Sequence, residues 1–391
     1  MARFLFVVPP LVGHINPTIG VGEELIERGH VVAWYGYKPI LEGLLDRDLE
    51  IETTESEIPE TLIKQVEAQS KGLRGAHALK FFWEDFLSPL AHAMVPGVRS
   101  AVEKFKPDVI VADQQCVAGA HVALENGITW ATSATTSAEL VNPFKLFPKL
   151  KSWADDCLMS FQISHGVKKE DANADLLRES PHLVIAYTTL NLVGNEREFD
   201  EHFAFVGPSI GRRKPRDSES NEIVFSNNGK KILISLGTVN GEVGERFYKV
   251  ALDAMETIDA EALLVAPPDL IGNVPRNVIV KRFVSQLDIL KHVDAVVTHG
   301  GHNTVVESLY YGLPLVVAPI RDDQPVVSDQ VVAAKVGVRV KFSRVQPKEL
   351  KLAIESILHE SIYRENAQRI RESFLKAGGK VEAANRLEKL V

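Results

Sequence analysis

The stretch His299-Gly300-Gly301-His302-Asn303-Thr304 decides the fold of this 391-residue chain. Ahead of it runs Asp294-Ala295-Val296-Val297-Thr298, a short apolar run of the kind that forms a buried parallel strand. Behind it, Val305-Val306-Glu307-Ser308-Leu309 predicts a helix stopped by Gly312 and Pro314. The paired glycines therefore stand where a strand hands over to a helix. Such a turn aims backbone N–H groups and the positive helix end at one spot, which suits a diphosphate. His299, Asn303 and Thr304 add side-chain donors there. Glu307, about one turn beyond Asn303, can reach a sugar diol. The plain alternative is a tight β–α turn with a hydrogen-bonded histidine, and a lone Gly-Gly would favour it. The density of polar groups at a strand exit favours a ligand site.

Working outward, the start of the chain has the same plan. Phe4–Val8 predicts a strand, and Pro9 to Pro17 a loop. A helix follows, with Ile19, Gly22, Leu25 and Ile26 on one face and Glu23, Glu24, Glu27 and Arg28 turned outward. Gly29 ends it, and Val31–Tyr35 is the next strand. Further strands are expected at Pro107–Asp113, Ile128–Thr132 and Leu183–Tyr187. A polar, turn-rich break from Gly207 to Asn221 reads as a linker. The pattern then restarts, with Lys231–Thr238 reading as a strand into a glycine turn and further strands at Leu263–Ala266, Val278–Lys281, Ala295–Thr298 and Leu315–Ala318. From about Lys348 the tail is helical and charged, broken at Gly378-Gly379. Alternating strands and helices predict an α/β fold of two doubly wound domains in tandem, with a cleft between them.

Totals narrow the function. The chain is 45% hydrophobic and 25% charged, and 44 Lys and Arg against 52 Asp and Glu leave a net charge of −8. That acidic balance argues against nucleic acid as a partner. Two cysteines, Cys116 and Cys157, exclude a disulfide scaffold and fit a reducing cytoplasm. No C-x-x-C or H-E-x-x-H pattern is present, and neither Asp322-Asp323 nor Asp155-Asp156 is a D-x-D metal motif, so no metal is expected. The first strand lacks a following G-x-G-x-x-G, which speaks against a dinucleotide oxidoreductase. Pro9-Pro10 interrupt the first apolar run, so it reads as a strand and not a signal peptide. No run of about 18 apolar residues exists, so no transmembrane segment is expected.

In a doubly wound fold, ligands sit at the carboxyl ends of strands. His14 and Asp113 both fall there. A histidine can accept a hydroxyl proton near neutral pH, and a carboxylate on its other nitrogen fixes the tautomer and stabilises the cation. A loop histidine bonded to backbone and an N-capping aspartate are the plain alternatives. Phe81-Phe82-Trp83 with Phe86-Leu87 has helical spacing and reads as core or as the lining of an apolar pocket. Phe144 to Phe161 is rich in aromatics and lysines without clear periodicity.

Together these residues resemble a family. Phe283-Val-Ser-Gln286-x-x-Ile-Leu290-x-His292, Thr298-His-Gly-Gly-His-Asn-Thr-x-x-Glu307, Gly312-x-Pro314 and Asp323-Gln324-Pro325 look like the donor signature of family 1 UDP-glycosyltransferases. Pro10 through Pro17 resembles the opening motif of their bacterial members, which glycosylate macrolides and other natural products, and Ser235-Leu-Gly-Thr238 also matches. The signature matches many positions in order across about 40 residues. Ser285, His302 and Val327 depart from the commoner Pro, Trp and Asn.

The resemblance implies a GT-B fold: residues 1–206 bind acceptor, 207–229 link, 230–375 bind donor, and a tail helix at 376–391 packs back on the N-terminal domain. By similarity Phe283 stacks on uracil, Val284 meets the base through its backbone, and Gln286 lies beside it. Glu307 binds ribose. His299, Gly301, Asn303, Thr304 and Thr238 hold the phosphates, Asp323 and Gln324 the sugar hydroxyls. His14 is the base and Asp113 its partner. Phe82, Trp83, Phe86, Phe144 and Phe147 line the acceptor pocket.

A cis-diol suits Glu307 best, favouring ribose over deoxyribose, and a deoxysugar would strand the polar groups of Asp323 and Gln324. The expected reaction is inverting, metal-independent transfer of glucose from UDP-glucose to a hydroxyl of a hydrophobic small-molecule acceptor such as a flavonoid, terpenoid or polyketide. No cofactor is expected, and the protein is expected to be a monomer or weak dimer. The rivals are a UDP-sugar epimerase, a non-catalytic sugar-nucleotide-binding auxiliary protein, and a peripheral membrane enzyme with a lipid-linked acceptor.

Overall fold

The computed structural model describes residues 1–45, 58–61, 63, 80–141, 148–194, 198–212, 225, 229–237 and 244–391. The chain divides into two compact units. One comprises Met1–Thr189, Asn195–Lys214 and Ala377–Val391, the other Leu190–Gly194 and Pro215–Lys376.

The first unit is built on six parallel strands in the order β2-β1-β3-β4-β5-β6: β1 Arg3–Val7, β2 Val31–Tyr35, β3 Val109–Asp113, β4 Thr129–Ala134, β5 Val184–Ala186 and β6 Phe203–Phe205. Helices cover both faces. α1 (Val12–Glu27) follows β1, α2 (Ser88–Phe105) precedes β3, α3 (Val117–Asn126) connects β3 to β4, and α4 (Pro148–Ser164) lies beyond β4. Alternation along β1 divides the core. Leu5 and Val7 pack with α2 and α3, while Phe4 and Phe6 pack with α1. A strand buried on both faces must be apolar throughout, which is why β1 was readable.

Four readings need correction. The segment read as a loop from Pro9 to Pro17 is helical from Val12, with Pro17 inside α1. Proline lacks the N–H a helix interior uses, so α1 continues through Pro17 without that i→i−4 bond. Ile26, expected on the core face, is exposed, while Ile15, Ile19 and Leu25 are buried. The aromatic and lysine-rich stretch, which showed no period, is helical in its described part, as α4. The short strand β6 was not anticipated.

Gly22 is on the core face as expected, and for a specific reason. A Cβ there would stand 2.3 Å from Trp34 Cζ2. Trp34 is fully buried, stacks on Phe6 with centroids 5.3 Å apart, and donates from Nε1 to Thr18 Oγ1 at 3.0 Å. The described part of the segment read as a linker packs on α1, since a Cβ on Gly211 would meet Gly20 N at 2.6 Å.

The second unit has six parallel strands in the order β12-β11-β10-β7-β8-β9: β7 Lys230–Ser235, β8 Ala260–Val265, β9 Val278–Lys281, β10 Ala295–Thr298, β11 Leu315–Val317 and β12 Gly337–Arg339. β12, three residues on a sheet edge, was not foreseen. Its helices include α5 (Glu245–Met255), α6 (His302–Tyr310), α7 (Gln324–Ala333), α8 (Pro347–His359) and most of α9 (Ser361–Ala377). Ile232 and Ile234 face α5 and α8, whereas Leu233 faces α6 and α7.

Gly378, at φ +91°, breaks the tail, and α10 (Gly379–Glu388) belongs to the first unit. Gly379 N donates to Val206 O at 2.7 Å. Ala383, Ala384 and Leu387 complete the core around Phe4 and Trp34. Arg28 Nη1 donates to Asn385 Oδ1 and Glu388 Oε2, each at 2.8 Å, and His30 Nε2 meets Glu388 Oε1 at 2.9 Å. No described helix is long and apolar enough to cross a membrane.

Candidate active site

Each sheet reverses its strand order once beside a polar cluster, the usual place for a ligand in such sheets. In the first unit the reversal falls between β1 and β3, and in the second between β7 and β10.

At the first reversal, His14 sits in the first turn of α1 and Asp113 ends β3. The two were singled out 99 residues apart in sequence, and the fold brings them together. His14 Nδ1 lies 2.9 Å from Asp113 Oδ2 and 3.0 Å from Oδ1. The Asp113 side chain is fully buried, and that of His14 keeps 15% exposure. Thr135, just past β4, was missed. Its hydroxyl donates to Asp113 Oδ2 at 2.8 Å and lies 2.7 Å from His14 Nδ1. With the Thr135 hydrogen directed at the carboxylate, both neighbours of Nδ1 are acceptors. Nδ1 therefore carries the ring proton, and Nε2 of the neutral ring is the basic nitrogen.

Gln115 N donates to the other Asp113 oxygen at 2.9 Å, and Gln115 Nε2 donates to Glu139 Oε1 at 3.1 Å. Burial pushes the Glu139 carboxyl up to about 7; the Gln115 hydrogen bond opposes this, Asp113 adds to it, and His14 and Arg178 oppose it. Glu139 was also missed. Its only sequence signal is a hydroxyl-rich run, Thr135-Thr136-Ser137, leaving a strand.

Of the aromatic cluster, Phe86 is buried in the core while Phe82 and Trp83 are partly exposed against it. The Phe82 and Phe86 rings are 5.8 Å apart, and the Arg178 guanidinium lies 5.7 Å from the Trp83 ring centre. Phe144, Phe147 and Thr238 lie outside the described residues.

At the second reversal, β10 ends at Thr298 and α6 begins at His302, with Gly301 as N-cap. Glycine has no side chain to cap the first-turn N–H groups, and a helix start of this kind suits an anion. The glycines also make room for His299. A Cβ on Gly301 would lie 2.4 Å from His299 Nε2, and one on Gly237 2.7 Å from its Cε1. Gly237 and Gly300 adopt φ +74° and +83°, open to glycine at little cost. Burial lowers the His299 imidazole to about 4; the Ser235 carbonyl opposes this and Arg321 adds to it. At neutral pH His299 is therefore uncharged and offers a hydrogen bond rather than a charge.

Glu307 is buried on α6, and Gln286 Nε2 donates to its Oε2 at 2.6 Å. Two residues singled out separately are thus joined, and one oxygen of the carboxylate already has a partner. Phe283 is 56% exposed, with its ring open to a stacking partner. Gln324 is buried, and its Oε1 accepts from Ile320 N at 2.9 Å and Arg321 N at 3.1 Å, so only its amide is left to donate. Asp323 stands at the N-cap of α7, and Asn303 and Thr304 lie in the first turn of α6. Among the described residues, no group of three His, Cys, Asp or Glu side chains is placed to hold a metal ion.

Two doubly wound parallel sheets with these strand-end sites define the GT-B class of glycosyltransferases. The chain matches the glycosyltransferase of kitacinnamycin at a TM-score of 0.78 and 25% identity, covering 100% of this chain and 99% of that one. It matches CalG4, the calicheamicin glycosyltransferase, at 0.80 and 21% identity, covering 100% and 98%. Residues 196–375 match the family described as UDP-glucoronosyl and UDP-glucosyl transferase. The chain is 27% identical to the UDP-glucosyltransferase YojK of Bacillus subtilis, over 98% of this chain and 96% of that protein. It is 28% identical to 4'-demethylrebeccamycin synthase of Lentzea aerocolonigenes, over 100% of both. Over its whole length the chain is similar to glycosyltransferases, and residues 196–375 carry the match to the UDP-glycosyltransferase family.

Proposed function

We propose that this enzyme transfers glucose from UDP-glucose to a hydroxyl of a lipophilic natural product, with inversion at the anomeric carbon. The observation that carries this reading is the contact of His14 Nδ1 with the buried Asp113 carboxylate at 2.9 Å. It leaves the basic nitrogen, Nε2, to accept the acceptor proton, and the carboxylate stabilises the imidazolium that forms. The deprotonating oxygen attacks the anomeric carbon, and the bond to the UDP oxygen breaks. UDP leaves into the glycine turn before α6, where first-turn N–H groups, neutral His299, Asn303 and Thr304 receive the diphosphate. Phe283 stacks on uracil, Glu307 oriented by Gln286 holds the ribose, and Asp323 with the Gln324 amide binds sugar hydroxyls. No metal takes part. The names of similar proteins support the acceptor class: 4'-demethylrebeccamycin synthase, demethyllactenocin mycarosyltransferase and zeaxanthin glucosyltransferase.

The test is UDP release from UDP-glucose in EDTA against a panel of flavonoids, terpenoids, macrolides and carotenoid diols. Acceptor-dependent release supports the reading. UDP binding in the calorimeter without release for any acceptor would favour a non-catalytic auxiliary. More efficient use of TDP-glucose would overturn the ribose assignment.

A further inference from the structure

The transfer step assigned to His14 and Asp113 makes no use of Glu139. Yet Glu139 stands in the turn after β4, on the rim that carries both. Gln115 ties it to them, giving its backbone N–H to Asp113 Oδ1 at 2.9 Å and its side-chain amide to Glu139 Oε1 at 3.1 Å. The same loop supplies Thr135, which holds the other Asp113 oxygen at 2.8 Å. Among the described residues, the charged groups acting on Glu139 are Asp113 from β3, His14 from α1, and Arg178 from the helix Ala174–Arg178. Arg178 is itself held by Asp155 of α4 at 2.5 Å.

We propose that Glu139 is a positioning residue for the transfer: Gln115 holds it beside the Asp113–His14 pair, and its ionised carboxylate adds a second negative charge that strengthens His14 as a base. This rests on the reading of His14 as the base. The Glu139 carboxyl, raised to about 7, gains its charge within the ordinary histidine range. Below that range Glu139 is neutral and adds no charge. Above it, the carboxylate makes His14 hold a proton more firmly, and a stronger base takes the acceptor proton more readily in the transition state.

Glu139→Gln separates charge from shape. The amide keeps an oxygen for the Gln115 hydrogen bond and cannot ionise. Histidine-ring NMR titration of the full chain, with the His14 signals assigned from a His14→Asn variant, reads the coupling without any acceptor. The His14 midpoint is expected to fall by roughly half a pH unit in Glu139→Gln. With an acceptor from the panel, kcat/KM of the variant is expected to equal wild type below pH 6 and to fall about threefold above pH 8. An unchanged His14 midpoint overturns the proposal, as does equal loss of activity at every pH, which would mark a merely structural role. Failure of the underlying reading is separate: turnover retained by His14→Ala removes the base, while the NMR coupling stands on its own.

Discussion

The Thr135 hydroxyl lies 2.7 Å from His14 Nδ1 and shares the Asp113 carboxylate with it. It closes a triangle in which each corner fixes the other two. Thr135→Val keeps the shape and removes the hydroxyl, leaving the imidazole free to tilt. We expect kcat to fall about tenfold, near 1.4 kcal/mol, with Thr135→Ser close to wild type. His14→Ala is expected to abolish transfer to alcohols, a loss of at least about a hundredfold, with UDP affinity nearly intact. Steady-state UDP release and calorimetry measure both.

The proposed ribose site centres on Glu307, which Gln286 orients at 2.6 Å. Glu307→Gln is expected to weaken UDP by about tenfold or more and TDP by much less. Competition calorimetry gives the ratio, and equal loss for both nucleotides would remove Glu307 from ribose recognition.

Gly22→Ala tests the packing of α1. Its Cβ would fall 2.3 Å from Trp34 Cζ2, and Trp34 is fully buried, so the helix or the indole has to move. We expect a loss of about 1–3 kcal/mol, read from urea unfolding.

Stability should depend on acidity in two opposing ways. Burial lowers His121 and His299 each to about 4. The unfolded chain then binds more protons than the folded one, so stability is full above about pH 6.5 and is lost as pH falls towards 4. Glu139, raised to about 7, has the opposite sign: its contribution is full below the ordinary carboxyl range and is lost as pH rises through 7. His121→Gln should flatten the acid side of the unfolding profile, and Glu139→Gln should raise stability near pH 8 relative to pH 5. Chemical denaturation across pH 4–8 measures both slopes.

The sheets were readable because strands covered on both faces have to be unbroken apolar runs, as in Phe4–Val7 and Ala295–Thr298. The glycine turn at Gly300-Gly301 was readable because all its parts are contiguous in sequence. Thr135, Gln115 and Glu139 were not, since their relation to His14 exists only once β1, β3 and β4 lie side by side, and strand order is not written in any local pattern. Pro17 misled for a local reason: a proline usually marks the end of a helix or its first turn, and here it is carried within α1. α4 was missed because its aromatic and lysine residues follow no clear period.

The Arg28–Glu388 contact joins the first helix of the chain to its last, and Ala383, Ala384 and Leu387 fill the space around Phe4 and Trp34. On the ribosome, the unit that is made first is therefore the last to be finished. Its sheet can pair early, but one flank stays uncovered while all of the second unit is being synthesised. Nascent chains released short of α10 would present Trp34 and Phe4 to chaperones and proteases, whatever the state of the second unit.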